Sequence, residues 1–221
     1  MLFDLRSRGR RRTVQVIYSA LALVMLGGLV LFGVGAGNGI GGLLNAFTNN
    51  ASNNNHAAID QQTHSALRAT RQHPNSAHAW GQLVQARWSA AGTGSNYDST
   101  TQTYTNSGKI QLRAAVHAWE RYRTLVDTPS VGVATLAARA YSTISDWGGA
   151  ATAWEYVANA EPTSASAFVC LAATAYAAKQ TRKGDLASAQ AVSLAPKLQR
   201  LQLQQELKTA KTSPALAQSC G

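Results

Sequence analysis

Apolar and polar positions divide the chain into three unlike stretches. Residues 14–34 carry no charge, and only Gln15, Tyr18 and Ser19 among them are clearly polar. At about 1.5 Å per residue this run covers the ~30 Å hydrocarbon core of a bilayer. A backbone crossing that core must satisfy its own hydrogen bonds, so the pattern predicts one transmembrane helix. A glycine- and asparagine-rich stretch comes next, GNGIGGLLNAFTNNASNNN. From about His56 the apolar residues return at intervals of three and four and hold that spacing to about Ala210. The period is helical. It predicts helices over about 56–72, 77–91, 108–126, 131–144, 147–160, 165–179, 183–194 and 197–210.

The ends of these helices are marked chemically. Proline lacks an amide hydrogen and pushes the residue before it out of the helical region, so Pro74, Pro162 and Pro196 close helices. Ser76, Ser130 and Asp146 stand where a side-chain oxygen caps a helix start. In the last helix Leu194, Leu198 and Leu201, then Leu203, Leu207 and Ala210, form a drifting apolar stripe. With Gln199, Gln202, Gln205 and Lys208 opposite, it reads as a capping helix with a polar outer face.

A longer period lies over the short one. Tyr141 is followed by Ala150, Trp154, Val157 and Pro162. Shifted forward by 34, the phrase returns as Gly184, Ser188, Ala191 and Pro196. Shifted back by 35, it is Ala115, Trp119, Tyr122 and Asp127. Pro74 precedes Trp80 and Leu83 by the offsets at which Pro162 precedes Phe168 and Leu171. Trp154 is a large knob beside a tiny neighbour one turn away, so a partner helix approaches closely at Ala150.

A unit of about 34 residues with two helical phrases and a closing proline resembles the tetratricopeptide repeat (TPR) over about 75–197. Departures are Asp127 in place of a proline, Gly184 and Ser188 in the last unit, and small Ala134 and Ala137 where bulk is usual. The fold implied is all-α: an N-terminal transmembrane helix, then a TPR-like α-solenoid of about three helix pairs with a C-terminal capping helix. A plain helical bundle is the alternative. The resemblance implies a groove lined by the first helix of each pair, holding His78, Gln85 and Trp88, then Thr135 and Arg139, then Ser166, Ala173 and Tyr176. The Lys/Asn clamp that some such domains use for a C-terminal carboxylate is not evident, since Gly81, Gln85, Thr135 and Arg139 occupy that face.

One insertion interrupts the period. Pro74 and Asp127 stand 53 residues apart, and the surplus is GTGSNYDSTTQTYTNS, residues 92–107. No Gly-Lys-Ser/Thr comes after its glycines, which excludes a phosphate-binding loop. Thr103 stands where a calcium loop needs glycine, and Lys109 where it needs glutamate. The stretch reads as a structureless, partner-contacting flap carrying Tyr97, Asp98 and Tyr104, with a tolerated surface insertion as the alternative.

Charge sets a direction. Lys and Arg number 20 against 10 Asp and Glu in 221 residues. Arg6, Arg8, Arg10, Arg11 and Arg12 precede the span, and the next basic residue is Arg68. Arginines stay on the cytoplasmic side, so 1–12 is cytoplasmic, 13–35 spans the membrane and the rest is extracytoplasmic. A cleaved signal peptide is the rival, but its apolar core is usually about 7–15 residues. Gly33 and Gly37, like Gly35 and Gly39, have GxxxG spacing, a weak hint of homo-oligomers. Residues 36–55 form a linker in which Ile40, Leu43, Leu44 and Phe47 share a face suited to the headgroup layer, and Asn49 to Asn55 is a flexible spacer. The repeat domain is 56–211 and the tail 212–221. The remaining positive charge is spread thinly, which argues against a nucleic-acid partner.

Chemistry is sparse. His56, His64, His73, His78 and His117 occur without HExxH, and the carboxylates are scattered. Cys170 and Cys220 lack metal spacing. They read as a buried small thiol and a stray tail cysteine, and a bridge in an oxidising compartment is left open. No catalytic residue, metal or cofactor is expected. The expectation is a bacterial-type, non-enzymatic membrane scaffold that binds protein or peptide partners, and its layout looks like that of translocon-associated TPR proteins. Alternatives are a structural assembly factor for a cell-envelope or cytochrome-maturation complex, and a small-ligand-binding accessory module.

Overall fold

The structure is a computed structural model that describes residues 51–221, with side chains from His56. The expected span, the arginines before it and the apolar turn at 40–47 lie outside the described residues. Among the described residues no helix is long and apolar enough to cross a membrane. Residues 56–221 form one compact unit.

The described chain is helical almost throughout. Its helices are α1 (Ala51–Gln72), α2 (Ala77–Ala91), α3 (Asn106–Arg123), α4 (Val131–Thr143), α5 (Trp147–Ala160), α6 (Ala165–Ala177), α7 (Thr181–Leu194), α8 (Arg200–Ala210) and α9 (Ala215–Gln218). Helix α1 begins at Ala51, so Asn53, Asn54 and Asn55 of the expected spacer are helical. Asparagine is a poor helix former, but extending an existing helix needs no new nucleus. Packing is chiefly between neighbours in sequence: α2 with α3, α3 with α4, α4 with α5, α5 with α6, α6 with α7, and α8 against α6 and α7.

Caps set the helix starts. The side chains of Ser76, Asp146 and Ser164 accept from the amides of Ala79, Gly149 and Ala167 at 3.3, 3.0 and 3.4 Å. Ser130 stands at the start of α4 but makes no such bond; its own amide donates to the Tyr122 hydroxyl at 2.9 Å. Helix α3 begins at Asn106 rather than 108 because Thr105 caps it, accepting from the Gly108 amide at 3.3 Å. The α4–α5 and α6–α7 joints are alike. Ser145 and Lys179 take left-handed φ of 61° and 62°. The next amides along reach back to Tyr141 and Ala175 carbonyls at 2.9 and 2.8 Å. This closure satisfies the orphan carbonyls at a helix end and lets the next helix fold straight back.

The core is built from alanine and aromatics. Trp119, Tyr122, Tyr141, Trp154, Leu171 and Ala191 lie in one buried cluster, with Leu83, Ala134, Ala137 and Ala150 among them and Trp80 and Phe168 packed at its edge. Ala115 is fully buried, while Pro162 and Pro196 are exposed in turns. Ala134 and Ala137, small where bulk was expected, let helix backbones approach closely. Helix α8 departs from the predicted stripe. Leu207 and Ala210 are buried, but Leu198 and Leu201 are 99% and 76% exposed. A 3-10 turn at Lys197–Gln199 winds three residues per turn and breaks the register ahead of α8.

The insertion is ordered, not structureless. After a 3-10 turn at Gly94–Asn96, β1 (Tyr97–Asp98) and β2 (Thr103–Tyr104) form an antiparallel hairpin pairing Tyr97 with Tyr104. The Asp98 carboxylate accepts from the amides of Thr100 and Thr101 at 2.9 and 3.3 Å, which closes the turn. Those bonds, the Thr100 amide first, hold its carboxyl below the usual range. The two cysteines are neither a free thiol nor a stray one: Cys170 on α6 is disulfide-bonded to Cys220.

Candidate functional site

Helices α4 and α6 carry residues at matching places one repeat apart, Val131 with Ser166 and Thr135 with Cys170. Because α5 folds between them, these positions converge. With Arg139, Trp154, Val157, Glu161, Ser164 and Ala167 they line a cavity of about 270 Å³, to which the tail adds Ser219 and Cys220. Arg139 and Glu161 are exposed, so opposite charges stand at its edge. Trp154 is buried, and its indole Nε1 has no hydrogen-bond partner. A buried indole N–H without a partner carries a desolvation cost of about 1–3 kcal/mol. Ser166 also lines a second hollow of about 390 Å³, where Val169 of α6 faces Gln202 and Leu203 of α8.

The eight residues expected to line a groove do not stay together. Thr135, Arg139 and Ser166 meet at the first cavity. His78 and Gln85 are exposed on α2 and line neither hollow. Trp88 is half-buried with its ring centroid 6.3 Å from that of Tyr104, and Tyr104 meets Tyr97 edge-on at 5.2 Å. Burial, then Tyr97, raises the Tyr104 phenol above its usual range, and Arg139 acts the other way.

Ala173 and Tyr176 were expected to face a partner, and the structure corrects this: they are 1% and 4% exposed. A side chain added at Gly184 of α7 would enter the Tyr176 ring, and the phenol donates to Asp185 at 2.8 Å. Tyr176 therefore packs the α6–α7 joint as Tyr141 packs the α4–α5 joint over Gly149. The Tyr141 hydroxyl donates to Glu120, which also accepts from Arg123 at 2.6 Å. Burial foremost, and each acceptor carboxylate next, raise both phenols. These tyrosines are joints, not reactive groups.

Cys170, Glu161 and the tail residues at the cavity escaped the sequence reading. The first shares Thr135's place in the repeat, so the 35-residue offset could have found it. Nothing local points to the tail. Among the described residues no group of three or more His, Cys, Asp or Glu side chains is placed to hold a metal ion. Comparison of the chain with protein-family models, curated proteins and solved structures returns no match.

Proposed function

We propose that this chain is a membrane-anchored scaffold or adaptor of TPR type, which binds segments of protein partners outside the cytoplasm in a chaperone-like role near the secretion translocon. The observation that carries the reading is the cavity between α4 and α6, where Thr135, Arg139 and Ser166 converge beside the unpaired indole of Trp154. A passing peptide offers what such a wall can take: a carboxylate for Arg139, backbone groups for Thr135 and Ser166, and small apolar side chains. The Cys170–Cys220 bond supports the extracytoplasmic placement, because disulfides persist in oxidising compartments. The uncharged run 14–34 behind five arginines supports the anchor and its direction.

The test is photo-crosslinking from Ser166 of the full chain in intact membranes, with and without Arg139→Glu. The reading expects adducts with polypeptide chains, weakened by the substitution while helical content is kept. Adducts equally strong with Arg139→Glu, or none from Ser166 in any state, would remove it.

A further inference from the structure

The segment 211–221 leaves α8 and turns back across α6 and α4, over the face that carries the cavity. Its hold is thin. Ala217 and Cys220 are its buried residues, and Leu216 is half-covered. Helix α9 is a single turn of four residues, far too short to persist without help. Two ties fasten it. At the start, Lys211 Nζ lies 2.6 Å from Asp185 and 5.3 Å from the Tyr176 ring centroid. Near the end, Cys220 is bonded to Cys170.

Between those ties the segment roofs space instead of filling it. Ser219 and Cys220 wall the 270 Å³ cavity. On its other side Ala215 and Leu216 face a hollow of about 380 Å³ against Glu206 and Ala210 of α8. Both hollows open at the surface, so the segment lies over the stack and enters the core only through Cys220 and the Leu216 packed beside it.

We infer that residues 212–221 form a disulfide-latched strap over the α4–α6 face, and that reducing Cys170–Cys220 releases the strap and opens that face. The inference rests on the docking reading of the face and adds its control. The chemistry needs a two-electron reductant, and a dithiol is the biological class that supplies one. One of its thiolates attacks a sulfur of the bond, and the other cysteine leaves as a thiolate. The reductant's second thiolate then attacks the reductant's own sulfur in that mixed disulfide, breaks its bond to the protein and expels the remaining cysteine as a thiolate. The reductant departs as a disulfide, having given two electrons and two protons, and Cys170 and Cys220 are left as thiols. Lys211 stays near Asp185 and serves as the hinge.

Hydrogen exchange on the full chain tests this, with the protein oxidised, reduced by tris(2-carboxyethyl)phosphine, and as Cys170→Ser and Cys220→Ser variants. Amides of 215–220 should exchange about tenfold faster or more once the bond is gone, while 131–194 changes little, the signature of a local opening. Reduction reports on the native chain even if a variant folds poorly. Unchanged exchange in 215–220 overturns the latch. So does a joint loss of protection through α6, α7 and α8, since the bond would then be a staple of the core. Failure of the docking reading has another signature: the strap is released, yet a crosslinker at Ser166 captures no chain in either state.

Discussion

Trp88, Tyr141 and Tyr176 stand fourteen residues after Pro74, Asp127 and Pro162, the same place in three successive units. Their fates differ. After Tyr141 and Tyr176 the next helix begins almost at once, at Trp147 and Thr181. Each ring is closed over a glycine, Gly149 or Gly184, and its hydroxyl is tied to a carboxylate. After Trp88 the next helix waits until Asn106, and the hairpin between brings Tyr104 and Tyr97 against a half-exposed indole. One position is a joint where the chain folds straight back and a surface aromatic cluster where it does not. The residues downstream decide an aromatic's role as much as the aromatic itself does.

This contrast can be broken most directly by truncation. Tyr176→Ala should cost about 4 kcal/mol of unfolding free energy in a urea titration, as loss of a buried aromatic does. Trp88→Ala, half-exposed, should cost about half that, near ~2 kcal/mol. Equal losses would dissolve the distinction between joint and cluster. Next in size is the glycine beneath the ring. Gly149→Ala forces a methyl into Tyr141 and should cost about 2–3 kcal/mol. Gly132 of the same stack has nothing nearer than Ser130 Oγ at 4.0 Å, so Gly132→Ala should be neutral or stabilise by up to about 1 kcal/mol.

A gentler effect comes with alkali. Burial and Glu120 raise the Tyr141 phenol above its ordinary value, which is about 10. Above that pH the unfolded chain releases the proton before the native one does. The native state then holds more protons, and stability falls as pH rises. It is fully present below about pH 10. Urea midpoints compared on either side of that pH should show the decline, and Tyr141→Phe should lessen it, with Tyr104 and Tyr176 supplying the remainder, whereas Gly132→Ala should leave the slope alone. The smallest effect separates two caps. Asp146→Ala removes the bond to Gly149 and should cost about 1 kcal/mol. Ser130→Ala removes no cap bond and should fall within about 0.5 kcal/mol.

Much of the helical order was legible because its causes are local. The prolines at 74, 162 and 196, the caps at Ser76 and Asp146, and apolar spacing placed most boundaries within a few residues. The start of α3 was missed because Thr105 is an ordinary threonine until the hairpin presents it as a cap. Thr135, Arg139 and Ser166, grouped by the repeat spacing, do line one cavity, whereas Tyr176 was misplaced. Its equivalence to Tyr141 was present in the spacing, but its being buried depended on Gly184 eight residues later.

The sequence by itself determined the helices, their punctuation and the repeat, for these rest on backbone sterics, capping bonds and apolar spacing among near neighbours. Only the tertiary structure decided that the insertion folds into a hairpin, that Leu198 and Leu201 face outward, and that Cys170 finds Cys220 across 50 residues. Those outcomes depend on which surfaces meet once the helices have stacked. The seat of α9 against α4 and α6 belongs to that second kind: a helix of four residues is too short to persist alone and acquires a place only when a wall exists to receive it.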